Sequence, residues 1–342
     1  IGLAILDREQ KLGSDVSRFA PGLMLSIAYS ASIGGVGTLV GTPPNLVFVS
    51  TLKEIFPDSP DILFLDWLKI GIPFVLLFLP ITWFYLIKFF KVSGDLQGSS
   101  DVIEKEYSLL GPMSIAEKKV SVIVLLYAFG FIFRNWWAEM IGVSGFAKDS
   151  TVAIFASLLL FSISNGKKDS QGKAERLLSW QDAKNIPWAI AMLIGGGLAI
   201  ASSFKSSGLI SWIGGNISIE GVPVLLIVSM VVFLMVFLTE INSNTATTAI
   251  FLPVLAGLSK SGAFHPFLLM VPATIAASCA FMLPSGTGPN ASILASGKLS
   301  IPEMAKAGLG LNILAIIIIT ILIYLIVLPV FGLSGSLPGW AQ

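Results

Sequence analysis

Long apolar runs, separated by short clusters of charge, dominate the chain. Stretches without Asp, Glu, Lys or Arg cover Phe19–Leu52, Ile70–Ile87, Ser150–Gly166, Ile186–Phe204, Gly221–Thr239, Ile241–Ser259, Ser261–Gly297 and Ala307–Gln342. About 20 helical residues cross a hydrocarbon layer about 30 Å thick. The pattern predicts passes at about 19–50, 68–87, 120–137, 150–165, 187–204, 267–296 and 307–331, with two helices meeting at a polar tip between 222 and 260. The runs are continuously apolar instead of alternating, which argues against a transmembrane β-barrel. The expected fold class is an all-α polytopic membrane protein.

Composition sharpens this. Of 342 residues 54% are hydrophobic and only 12% charged, with mean hydropathy +0.85, against about a quarter charged in soluble domains. The net charge is +1 and the basic residues are scattered, leaving no footprint for nucleic acid. The single cysteine, Cys279, and single histidine, His265, exclude an internal disulfide, a zinc cluster and a His-based triad. No nucleophile–base pair stands out, so the protein is not expected to be an enzyme. His265-Pro266 begins a pass and reads as a surface histidine. The chain starts at Ile1 without a signal-like region and is expected to be the later part of a longer protein.

Loop charges give an orientation. If 222–260 enters and leaves on one side as a re-entrant hairpin, only Lys53, Lys69, Arg134, Lys148, Lys205 and Lys260 of the 21 basic residues fall on the poorer side. The richer side is then cytoplasmic. Val102–Lys119 and Lys173–Trp188 mix charge with Leu, Tyr, Met and Trp, as short amphipathic helices at that surface would. Arg134 beside Trp136 and Trp137 reads as an interfacial anchor, and Gly195-Gly196-Gly197 as a place for close helix packing. The sequon-like Asn216-Ile217-Ser218 carries no weight without a known compartment.

An internal repeat is the most informative feature. Gly41-Thr42-Pro43-Pro44-Asn45 recurs as Gly286-Thr287-Gly288-Pro289-Asn290, in uncharged stretches of 34 and 37 residues and after runs of small residues. Prolines lack amide protons and clash with the preceding turn, so each stretch is expected to be a broken helix. Unpaired backbone at membrane depth is tolerated only inside protein or along a polar cavity. Two matching breaks point to a transporter binding site.

Before the second break, Thr239-Glu240-Ile241-Asn242-Ser243-Asn244-Thr245 lies between two apolar helices. Ser243 or Asn244 is placed to start a helix whose free amides would hold a carboxylate or sulfate without a cation. Glu240 is the one acidic residue here, and it reads as a hydrogen-bond partner for the hairpin instead of a proton site. Hydroxyls, amide oxygens and freed carbonyls suit Na⁺, which would also offset an anionic substrate.

The tip Ser243-Asn244-Thr245, the element at 41–45, Phe281-Met282-Leu283-Pro284 and Ile186-Pro187-Trp188 leading to Gly195-Gly196-Gly197 together resemble the divalent anion/sodium symporter family. The resemblance covers nearly the whole chain. It implies inverted repeats with a re-entrant hairpin and broken helices, a homodimer, and elevator-type Na⁺-coupled symport of small divalent anions across a bacterial-type inner membrane. C4-dicarboxylates such as succinate or malate come first. The alternatives are sulfate or citrate, and a proton-coupled or uncoupled permease or exchanger.

By position, the resemblance implies substrate contacts from Ser243, Asn244, Thr245, Thr287, Gly288, Thr42 and Pro43. Sodium would be held by Thr239, Asn242, Asn244 and Gly286 at one site, with Gly41 at the other. The remainder of the first repeat would occupy 1–100, amphipathic segments and scaffold helices 101–185, and the rest of the second repeat 186–342. Two departures stand out. Gly288 replaces a frequent proline, which is expected to loosen or enlarge the substrate side. The first Ser-Asn-Thr tip is expected roughly nine residues before Ile1, from similarity of Ile1–Leu6 to Val254–Ser259. The chain alone is therefore not expected to transport.

Overall fold

The computed structural model describes residues 1–92, 99–168, 172, 174–184, 188–216, 221–332 and 336–341. Ile186-Pro187, Lys173 and Ile217-Ser218 lie outside the described residues. The chain is mostly helical and divides into two compact units: Ile1–Ile62 with Asp66–Ser100 and Ala189–Gln342, and Leu63–Leu65 with Asp101–Trp188.

The larger unit opens with α1 (Gly2–Lys11), α2 (Phe19–Val36), α3 (Pro43–Ile55) and α4 (Phe64–Phe90). The predicted pass at 19–50 is thus split between α2 and α3. Thr42 is extended (φ −145°, ψ 142°) because Pro43 follows it, and a residue before proline is disfavoured in the helical region.

In the smaller unit, α5 (Ser99–Leu110), α6 (Ile115–Ile132), α7 (Arg134–Met140) and α8 (Asp149–Ser162) precede an antiparallel pair, β1 (Ser164–Lys168) and β2 (Ala174–Arg176), and the short α9 (Trp180–Ala183). This pair corrects the all-α expectation: two short polar strands satisfy their backbone with a shared ladder. Neither amphipathic segment is one helix. Gly111 in the left-handed region (φ 63°) ends α5, and a Ser114–Glu117 capping box starts α6. Hydrogen bonding to Ser114 holds the Glu117 carboxyl below its usual range. Residues 174–184 form β2 and α9 instead of a helix. Arg134 pairs with Asp149 at 2.6 Å, and α6 packs on α8 where Gly130 leaves room for Val152.

The larger unit continues with α10 (Trp188–Ser206), α11 (Leu209–Asn216), α12 (Val224–Ile241), α13 (Asn244–Ser261), α14 (Phe267–Ala277), α15 (Gly288–Leu294) and α16 (Ile301–Leu322). Among the described residues, four helical stretches are long and apolar enough to cross a membrane: Phe19–Val36, Phe64–Phe90, Val224–Ile241 and Ile301–Val330. By length, α12 suits a full crossing as well as a re-entrant arm. Of the glycine triplet only Gly197 makes a close approach, to Ala249 on α13; Gly195 and Gly196 face open space. His265 is not a surface residue. It is 7% exposed, packs on Phe267 and Trp340, and accepts the Phe267 amide through Nδ1; burial lowers its pKa to about 4.

Candidate functional site

Both breaks have the same construction. Residues 37–42 separate α2 from α3, and residues 278–287 separate α14 from α15. Asn45 Nδ2 donates to the Thr38 carbonyl at 2.8 Å, and Asn290 Nδ2 donates to the Leu283 carbonyl at 3.1 Å and the Ala280 carbonyl at 3.0 Å. Thr38 and Leu283 stand at equal distances before their asparagines, so each break is closed by one side-chain clasp. The carbonyl nine residues before each asparagine meets a buried aromatic donor. Trp67 Nε1 reaches Val36 O at 2.8 Å, and the Tyr29 hydroxyl reaches Phe281 O at 2.6 Å.

Glycine is required where the backbone turns back on itself. A Cβ on Gly41 would run into the Gly35 carbonyl and lie 2.8 Å from Thr38 Oγ1; one on Gly286 would lie 2.8 Å from the Ala280 methyl. The second break keeps the geometry of the first without the proline that Gly288 replaces. Thr287 holds φ −142° and ψ 152°, nearly the Thr42 geometry, and its Oγ1 accepts the Asn290 amide. A cap therefore does in the second break what a proline ring does in the first. A Cβ on Gly288 would meet nothing within 4 Å, so the cavity is open beside it.

Cross-packing brings the breaks together: α15 lies on α2, and α3 lies on α13. Between them is a cavity of about 300 Å³ lined by Gly41, Thr42, Pro43 and Pro44 from one break, Gly286 to Pro289 from the other, and Ser243, Asn244 and Thr245 from the tip. None of its lining residues carries a formal charge. All seven substrate residues expected from sequence line it, with Gly41, Asn244 and Gly286 from the sodium set. The N-termini of α3 and α13 converge here, and Ser243 leaves the first-turn amides of α13 without a side-chain cap. Pro43 and Pro44 have no N–H, so α13 brings more donors than α3.

Thr239 lies behind the cavity wall. Its Oγ1 is 2.6 Å from Asn244 Oδ1 and 2.7 Å from the Ala277 carbonyl at the C-terminus of α14. Three oxygens share one hydroxyl proton, an acceptor-rich cluster of the kind a hard cation completes. Helix C-termini favour positive charge. Asn242 sits exposed at the tip and is not brought to the cavity.

Sequence reasoning missed the Ala277 carbonyl, the two asparagine clasps and Ser278. Ser278 lines the cavity with a buried hydroxyl that has no partner among the described residues. Only the clasps had a signal in the sequence, an asparagine at the same place in both copies. Glu240 bonds chiefly to the second break, not to the hairpin.

Residues 7–332 match the family described as "Sodium:sulfate symporter transmembrane region". The chain belongs to this family. Among the chain's relatives is a protein named sodium-dependent dicarboxylate transporter SdcS in Staphylococcus saprophyticus, 41% identical over 347 residues. Another of that name in Staphylococcus aureus strain MRSA252 is 40% identical over 348. The alignments take in 99% of this chain and 66% of each relative, so the chain spans somewhat less than two thirds of their length. The family is a polytopic membrane family of transporters.

Proposed function

We propose that the protein carrying this chain is a Na⁺-coupled symporter of small divalent anions, first of all C4-dicarboxylates such as succinate or malate. One observation carries this reading: an uncharged cavity with uncapped helix amides on one wall adjoins an oxygen cluster short of hydrogens. The amides would take substrate carboxylates, and Na⁺ at Thr239, Asn244 and the neighbouring carbonyls would neutralise them nearby. The names of the two staphylococcal relatives support the dicarboxylate. Sulfate is the second reading, favoured by the family's description. The same proposal takes 1–100 as the remainder of one inverted repeat and 186–342 as the hairpin and broken-helix part of the second. Residues 101–185 would be surface and scaffold segments in an elevator-type homodimer of the bacterial inner membrane.

The test is radiolabelled succinate uptake by the full-length protein in proteoliposomes under Na⁺, K⁺ or pH gradients, beside Asn244→Ala. Uptake that requires Na⁺ and is lost in Asn244→Ala supports both coupling and site. Sodium-dependent uptake that survives the substitution removes the site assignment. Uptake driven only by a pH gradient removes the coupling.

A further inference from the structure

Glu240 is the acidic residue at the site, and every polar contact found for its carboxylate is with a donor. Oε1 accepts the Phe281 amide at 2.7 Å, the Met282 amide at 2.9 Å and Asn312 Nδ2 at 2.8 Å, while Oε2 accepts the Leu283 amide at 2.9 Å. The residue is 3% exposed. Three consecutive amides released by the break would otherwise lack these partners, and for the buried Phe281 amide that costs about 1–3 kcal/mol. The four donors suit an ionised, acceptor-only carboxylate. Gly286 backs directly onto the same group: a Cβ there would lie 3.5 Å from Glu240 Oε2. Asn312 belongs to α16, whose Gly308 lies against the Phe281 carbonyl. One carboxylate thus joins the end of α12, the unwound segment and α16.

Thr239, the adjacent residue, supplies the hydroxyl of the oxygen cluster. We propose that Glu240 is a positioning residue for cation binding, holding the unwound 281–283 backbone so that the oxygens around Thr239 stand ready for Na⁺. It touches neither the ion nor the anion. It also places a negative charge behind the cluster in a region of low dielectric, where such a charge favours a cation. The inference rests on the sodium-coupled reading above.

The test follows Na⁺ titrations of succinate uptake and of the thermal midpoint in the full-length protein. The variants are Glu240→Gln, Glu240→Asp and Asn312→Leu, with exposed Glu303→Gln as control. Outer-sphere partners of an ion site are worth about 10–100-fold in affinity, so Glu240→Gln is expected to raise the Na⁺ half-saturation at least about tenfold in both readouts. Glu240→Asp keeps the charge but is too short to reach all three amides, and should also raise it. Asn312→Leu removes one bond and should raise it about threefold. A purely structural role would lower amplitude and the sodium-free midpoint while leaving half-saturation unchanged, and that result overturns the proposal. Should Glu240→Gln not fold, unchanged half-saturation in Asn312→Leu overturns it. A parent without any Na⁺ response removes the sodium reading and this one together. A responsive parent matched by its variants removes only the role of Glu240.

Discussion

Asn45 and Asn290 show how much one side chain decides at the breaks. Each is fully buried and spends its amide donors on carbonyls that no helix can satisfy. Asn290→Ala would strand the Ala280 carbonyl, whereas Leu283 O keeps the Gly286 amide and, in Asn45→Ala, Thr38 O keeps the Gly41 amide. At about 1–3 kcal/mol for a buried polar group left unpaired, Asn290→Ala should be the more destabilising. Thermal unfolding in detergent would show the order, and equal, negligible shifts would refute the clasp. Glycine and proline at 288 and 43 are less decisive than their chemistry suggests, because the Thr287 cap produces the same extended residue that Pro43 enforces at Thr42.

At the scale of elements, α4 and α16 serve the two breaks in the same way. Gly71 on α4 lies against the Val36 and Gly37 carbonyls, where a Cβ would fall 2.6 Å from Gly37 O. Gly308 on α16 meets the second break at the corresponding place, and a Cβ there would fall 2.6 Å from Met282 Cα and into the Phe281 carbonyl. Backbone cannot give way as a flexible side chain can. Gly308→Ala should therefore destabilise by about 1–3 kcal/mol, the usual cost of overpacking, and should depress uptake. Gly196→Ala on α10 meets open space and should be neutral or gain about 0.5–1 kcal/mol from helix propensity. Comparing unfolding midpoints of the two variants separates close approach from glycine content alone.

Over the larger unit, the apolar exterior and the polar centre divide the work. Leu76, Trp83, Leu234 and Leu325 are exposed, as a lipid-facing surface requires, while the cavity carries hydroxyls, amides and no formal charge. An anion held by dipoles and a bound Na⁺ responds weakly to screening by bulk salt. At fixed Na⁺, raising ionic strength with choline chloride from about 0.05 to 0.3 M should change the succinate half-saturation less than about twofold, although the Debye length falls to near 6 Å over that range. A several-fold loss would point to a basic residue steering the substrate.

Much of this architecture was legible in the sequence because it depends on local chemistry. Apolar runs of membrane length and the doubled Gly-Thr-x-Pro-Asn element marked the long helices and both breaks, since proline and glycine act on their own backbone; the residues that the family resemblance implies for substrate line one cavity. Loop structure was read less well. Residues 164–168 and 174–176 pair as an antiparallel ladder, and charge pattern alone did not distinguish the start of the 173–188 segment from an amphipathic helix. What only the tertiary structure decided is how groups distant in sequence complete one another. Glu240 reaches residues 281–283 and 312, Tyr29 reaches 281, and the Ala277 carbonyl meets Thr239. A broken helix announces itself by the residues that break it. The partners for its freed amides and carbonyls come from whichever elements fold against it, and packing sets that choice.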